Sequence, residues 1–169
     1  MIGLNTKIYL EKIEGQDYRE VEVKGKIIRV PNKFKGMEIQ SQRARVKYPS
    51  LDSILGVGDI VYCHHFLNDE GSKKKMNGEI VYELDINEIY CRVVDGKIEM
   101  LGDWLLVEPI EKKGIIVNKK EINSGHLRYG YEKYKDAKVA FEKMSDYELE
   151  VEGKVYYRIR KSELLGVYY

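Results

Sequence analysis

Short runs in which Ile, Val, Leu and Tyr alternate with polar residues recur along the chain. They cover Lys7 to Ile13, Ile27 to Val30, Asp59 to Cys63, Ile80 to Leu84, Trp104 to Val107 and Val155 to Ile159. A period of two sends alternate side chains to a core face and a solvent face, so each run predicts a half-buried strand. Gly, Asn and Asp separate the runs, as turn residues do. Only Asp85 to Ile89 and Arg160 to Leu164 suit a helical turn, one turn each. Pro31, Pro49 and Pro109 fall at run ends, at turns or on an edge, where a missing N–H is tolerated. Evenly spaced short strands predict an all-β fold of barrels or sandwiches.

The pattern occurs twice. Leu4-Asn5-Thr6-Lys7-Ile8-Tyr9-Leu10-Glu11-Lys12-Ile13-Glu14 aligns without gaps with Leu101-Gly102-Asp103-Trp104-Leu105-Leu106-Val107-Glu108-Pro109-Ile110-Glu111. Gly58-Asp59-Ile60-Val61-Tyr62-Cys63 aligns with Asp136-Ala137-Lys138-Val139-Ala140-Phe141. Asn77-Gly78-Glu79-Ile80-Val81-Tyr82-Glu83-Leu84 aligns with Glu152-Gly153-Lys154-Val155-Tyr156-Tyr157-Arg158-Ile159, and Glu88-Ile89 continues onto Glu163-Leu164. The period is far longer than a solenoid repeat, so a domain has been duplicated. The join falls near Val94-Asp95-Gly96-Lys97, and the expected domains are residues 1–96 and 97–169. Such a join is too short for a flexible linker.

Composition narrows the function. Of 169 residues, 43% are hydrophobic, enough for a real core. Basic and acidic residues number 29 and 28, a balance that argues against a phosphate backbone as the main partner. Cys63 and Cys91 are too few for a disulfide framework and match a reducing compartment. No apolar run approaches membrane-spanning length, and Met1 to Asn5 lacks leader character. A cytoplasmic protein with no membrane partner is expected.

At the repeated motifs the chain resembles the GroES family of small co-chaperonins. Leu101 to Glu111 is similar to that family's opening strand, Val57 to Tyr62 to its middle strand, and Gly78 to Leu84 with Glu88-Ile89 to its closing strands. No one motif is specific; three in order, found twice, cover nearly the whole chain. The resemblance implies two tandem Greek-key β-barrels, a homo-oligomeric ring, and a flexible loop after the first strand of each barrel. It implies a non-enzymatic, cofactor-free protein that caps a GroEL-type chaperonin ring. The loop residues would be Ile27, Ile28 and Val30 in Gly15 to Ser41, and Ile115, Ile116 and Val117 in Lys112 to Ser124. A few β-branched residues among lysines suit ordering on binding. From the residues alone, both segments read equally as ordinary barrel strands.

The resemblance also implies that first strands meet last strands around the ring. The interface residues would be Ile8, Tyr9, Leu10, Leu105, Leu106 and Val107 against Ile89, Val93, Leu164 and Val167. The family's roof hairpin is nearly absent from both copies, which predicts an open top.

Other chemistries carry less. Cys63-His64-His65 with Glu70 contains metal-ligating types, but adjacent histidines on a strand face opposite ways and copy two has no Cys/His counterpart. No metal site is expected, and no nucleophile triad or phosphate loop stands out. Lys73-Lys74-Lys75 reads as a solvated hairpin tip. Fourteen tyrosines on small barrels raise base stacking, but Tyr82 and Tyr157 sit where wall packing explains them. Nucleic-acid binding ranks third, behind a ring-forming structural role, for example in a viral particle.

Overall fold

The computed structural model describes residues 6–13, 18–23, 25–31, 43–51, 53–64, 70–110, 123–142 and 147–168. The chain divides into two compact units, Met1–Ile89 and Tyr90–Tyr169. The first holds β1 (Lys7–Lys12), β2 (Tyr18–Val23), β3 (Lys26–Pro31), β4 (Arg43–Tyr48), β5 (Ile60–Cys63), β6 (Lys73–Met76) and β7 (Glu79–Asp85). β8 (Ile89–Val94) opens on its last residue. The second continues with β9 (Lys97–Met100), β10 (Trp104–Pro109), β11 (Asn123–Tyr129), β12 (Lys138–Phe141), β13 (Tyr147–Val151), β14 (Lys154–Arg160) and β15 (Leu164–Tyr168). The protein is all-β, and the strand pairings are antiparallel. The helical turns expected near Asp85 and Arg160 are single 3-10 turns, Ile86–Glu88 and Lys161–Glu163.

The second unit's sheet runs β13-β14-β10-β11-β12-β15; in the first, β6-β7-β1-β4-β5 follow the corresponding order. The correspondence extends to register. Lys7 faces Asp85 and Leu10 faces Tyr82; at the aligned positions Trp104 faces Arg160 and Val107 faces Tyr157. Tyr9 faces Tyr48 and Lys12 faces Ala44; Leu106 faces Tyr129 and Pro109 faces Gly125. Even the irregularity repeats, between Tyr9 and Leu10 and between Leu106 and Val107.

Backbone bonds outside the ladders repeat as well. Ile86 N–H donates to Thr6 O at 2.8 Å, and Lys161 N–H to Asp103 O at 3.0 Å. Gly58 N–H donates to Val46 O at 2.8 Å, and Asp136 N–H to Leu127 O at 2.7 Å. His64 N–H donates to Glu88 O at 2.8 Å, and Glu142 N–H to Glu163 O at 3.0 Å. Both 3-10 turns close with a glutamate, Glu88 or Glu163, accepting the N–H of Asp85 or Arg160.

The core follows the alternation. Leu105, Val107, Leu127, Val139, Phe141 and Ile159 form one fully buried cluster. Their counterparts Ile8, Leu10, Val46, Val61, Cys63 and Leu84 are likewise buried. Burying such a side chain contributes about 1.5–3 kcal/mol, so each face pattern fixes its strand's register.

The sequence join is a hairpin. β8 pairs with β9 through Asp95 and Gly96, both at positive φ. Lys97–Met100 is therefore a strand that the sequence pattern did not predict.

Candidate functional site

The segment between β1 and β4 carries the first candidate binding residues. Tyr18–Val23 and Lys26–Pro31 form a two-stranded sheet of their own, from Tyr18 opposite Pro31 to Val23 opposite Lys26. Ile27, Ile28 and Val30 lie on β3, opposite Glu22, Val21 and Arg19. These residues belong to no strand of the unit's main sheet, which removes the ordinary-wall reading. Six residue pairs close the β2–β3 hairpin within the chain. The second candidate set, Ile115, Ile116 and Val117, lies outside the described residues.

The proposed oligomer contacts divide. β1 pairs with β4 and β7, and β10 with β11 and β14, so neither first strand has a backbone edge to offer. Ile8, Leu10, Leu105, Leu106 and Val107 are buried in their own units, as is Ile89. Period-two spacing identifies faces and is silent about edges, and for these residues the edge assignment is corrected. Tyr9 is only half-buried and donates to Glu83, the contact that most raises its pKa. Val93 lies in the β8–β9 hairpin, opposite Ile98.

Leu164 and Val167 lie on β15, which ends its sheet. Edge strands invite unwanted pairing unless charge or cover protects them. The sheet ends are not alike. β6 is Lys73-Lys74-Lys75-Met76, so the lysines expected at a hairpin tip occupy an edge strand. β13, Tyr147-Glu148-Leu149-Glu150-Val151, alternates two glutamates along the other outer edge. β15, Leu164-Leu165-Gly166-Val167-Tyr168, carries no charge, and Leu165 and Tyr168 are exposed.

Two further features escaped the sequence reading. Between β4 and β5, Leu51, Ile54 and Val57 are 86%, 65% and 72% exposed. Leu55 is buried beside them, Ser53 N–H donates to Ser50 O, and Gly56 N–H donates to Asp59 Oδ2. The described residues between β4 and β5 thus form a pinned turn presenting three aliphatic side chains. The signal was Leu51-x-x-Ile54-Leu55-x-Val57 in a stretch too short for strands.

The second feature is an aromatic cluster around Arg158. Its guanidinium lies 4.6 Å from the Tyr90 ring, 4.8 Å from Tyr147 and 5.7 Å from Trp104. Arg160 stands 4.0 Å over the Trp104 ring. Tyr90 is fully buried and meets Trp104 edge to face, with centroids 4.7 Å apart. Desolvated cation–π contacts of this kind contribute about 2 kcal/mol.

Catalytic and metal chemistry find little here. Burial pushes the Cys91 thiol up to about 12, far from a reactive thiolate. Cys63 is also buried. Among the described residues no group of three or more His, Cys, Asp or Glu could hold a metal ion, and His65 lies outside them. No described helix is long and apolar enough to cross a membrane. Compared with protein-family models and with curated proteins, the chain matches none.

Proposed function

We propose that this protein is a co-chaperonin of the GroES type: a non-enzymatic, cytoplasmic ring of tandem Greek-key barrels that caps a GroEL-type chaperonin and assists its ATP-dependent folding cycle. The observation that carries this reading is the arm. β2 and β3 pair only with each other, inserted between β1 and β4 of a unit whose plan is repeated register for register. That is where the resemblance puts the chaperonin-binding segment, and Ile27, Ile28 and Val30 are on it. In the second unit β10, β11 and β12 lie side by side and β14, reached through β13, returns beside β10; a return of this kind is what a Greek key makes, which supports the fold part of the reading.

Two or three aliphatic residues per arm contribute roughly 1.5–3 kcal/mol each before ordering costs, a weak site alone. A preformed hairpin has less entropy to lose, and several arms on one ring raise avidity by about 10² to 10⁴. The test is a nucleotide-dependent pull-down on a GroEL-type chaperonin beside size analysis of each sample. Ile27→Asp with Ile28→Asp, combined with Ile115→Asp and Ile116→Asp, is expected to abolish capture while the oligomer persists. Capture that survives the combined variant overturns these loops as the contact. Wild-type protein that forms a ring but is never captured supports the structural-component reading instead.

A further inference from the structure

One connection is built from opposite materials in the two units. Between β11 and β12, Glu132, Lys133 and Lys135 are exposed, and the aromatic residues are engaged. Tyr131 meets Tyr134 edge to face with centroids 4.9 Å apart, Lys161 stands 5.4 Å from the Tyr131 ring, and Lys133 stands 5.0 Å from the Tyr134 ring. Between β4 and β5, at the aligned place, Leu51, Ile54 and Val57 stand out in solvent. Exposed aliphatic residues scattered singly are ordinary, but these three fall within seven residues and make a patch.

The patch is pinned from below. Ser50 and Leu55 are buried. Both the N–H and the hydroxyl of Ser53 donate to Ser50 O, at 3.2 and 3.1 Å. Gly56 N–H donates to Asp59 Oδ2 at 2.9 Å, Asp59 N–H donates back to Gly56 O at 3.2 Å, and Gly58 N–H donates to Val46 O at 2.8 Å. A ligand meeting these side chains has little backbone to order, which lowers the cost of binding.

Size and charge select the occupant. A stable contact between folded proteins takes about 20–30 residues a side, and three do not supply it. An unfolded segment can add its apolar side chains a few at a time and needs no complementary surface. The charged residues from Pro49 to Asp59 are Asp52 and Asp59, with no base among them. Acid without base is repelled by anionic lipid and matches basic residues on a partner chain.

We propose that the turn between β4 and β5 holds non-native polypeptide, taking aliphatic segments flanked by lysine or arginine through Leu51, Ile54 and Val57. The inference rests on the chaperone half of the function proposed above and gives it a substrate class. It uses a separate contact: the arm joins β4 at Arg43 and the turn leaves it at Tyr48. A strand of that length puts roughly 20 Å between the two joins.

The test uses the full chain and a fluorescein-labelled Lys-Lys-Leu-Leu-Leu-Leu-Lys-Lys peptide, read by anisotropy with no chaperonin present. The combined variant Leu51→Ser, Ile54→Ser and Val57→Ser is expected to weaken peptide binding at least tenfold. Exposure of all three side chains leaves the fold intact, which circular dichroism of the same sample verifies. Leu51→Ser alone, at the most exposed position, is expected to weaken binding about threefold. The same peptide with glutamate in place of lysine is expected to bind the wild-type chain at least threefold more weakly. Wild-type chain that ignores the lysine peptide, variants that bind it as well as wild type, or a preference for the glutamate peptide overturns the proposal. An oligomer whose mass falls in the combined variant assigns the patch to a second copy. Neutral phosphatidylcholine vesicles that bind wild type but not the variant assign it to lipid, and either result overturns the proposal. A chain that binds the peptide as expected but is never captured by a chaperonin keeps this site and loses the co-chaperonin reading. One that is captured but ignores the peptide loses only the site.

Discussion

The two units share a backbone plan and differ in nearly everything drawn on it. Glu11 and Glu108 occupy aligned places on β1 and β10. In the first unit Glu11 faces Lys47, which also approaches Glu79 at 3.4 Å. In the second, Glu108 takes Arg128 and Lys154, and Arg128 reaches on to Asp136. Glu11 also meets Arg45 at 3.4 Å, so both arrangements alternate acid and base but draw on different partners. At the neighbouring strand end, Lys7 and Asp85 become Trp104 and Arg160. Exposed ion pairs contribute only about 0–1 kcal/mol each, so they can be exchanged without loss of fold. Buried faces and the backbone bonds that cross between strands cannot be exchanged so cheaply, and those are the features that repeat. The duplication has kept its scaffold and specialised its surfaces.

The sharpest break in the comparison lies at aligned positions Ala44 and Gly125, each opposite the end of its first strand. Alanine is fully buried at one. At the other, an added Cβ would stand 2.3 Å from Val107 Cγ1 and 2.6 Å from Glu108 O, and the second contact is with backbone. Gly125→Ala is expected to destabilise the protein by about 1–3 kcal/mol, the range of an overpacked core. Ala44→Gly is expected to lose only about 0.5–1 kcal/mol, the entropic cost of glycine in a strand. Urea unfolding of both variants measures the difference. Equal losses would mean that the second sheet relaxes around the extra methyl.

A smaller effect of opposite sign is expected at the turns joining β6 to β7 and β13 to β14. Both turns use two consecutive residues at positive φ: Asn77 and Gly78 at 48° and 84°, Glu152 and Gly153 at 49° and 78°. Such two-residue hairpins favour Asn-Gly. Asparagine tolerates the left-handed region better than other non-glycine residues, and glutamate does not share the advantage. Glu152→Asn is therefore expected to raise stability by up to about 1 kcal/mol, and Asn77→Glu to lower it by a similar amount. Thermal melting of the two variants provides the test, and a rise for Asn77→Glu would contradict it.

Legibility in the sequence followed the same division. The duplication and the buried positions were readable because alternation sets faces, and both copies carried it at Ile8 and Leu105, Leu84 and Ile159. Strand edges were not readable, since the pattern that buries Leu10 and Val107 says nothing of which strands flank β1 and β10. β9 was hidden by its length: Lys97-Ile98-Glu99-Met100 beside Asp95-Gly96 looks like a turn. β3 was legible in the run Ile27 to Val30, whereas β2 was hidden by composition, since its charged residues among valines read equally as a loop. The aromatic cluster around Arg158 was out of reach of pattern reading altogether, because it gathers residues from β8, β10, β13 and β14.

The smallest expected difference concerns acid. Asp85 and Arg160 hold aligned places before the two 3-10 turns. Asp85 accepts from Asn87 N–H at 3.0 Å, from Asn87 Nδ2 at 2.9 Å and from Thr6 Oγ1 at 2.8 Å. The backbone bond from Asn87 leads in holding its pKa below the usual carboxylate value, with the Thr6 and Asn87 side chains and the charge of Lys7 adding to it. The folded chain therefore gives up this proton more readily than the unfolded chain. The resulting stability is fully present above the unfolded value of about 3.9 and is lost as pH falls through the lower, folded value. Asp85→Asn keeps a good capping side chain and removes the titration. The variant is expected to unfold with a shallower loss of stability below about pH 4, a difference of roughly 0.5 kcal/mol given the exposure of the site. Asp103→Asn, which breaks an ion pair with Arg160 at 2.5 Å, serves as the comparison in the second unit. Unfolding midpoints in urea between pH 2.5 and 6 distinguish the two, and an identical acid limb in wild type and Asp85→Asn would contradict the assignment.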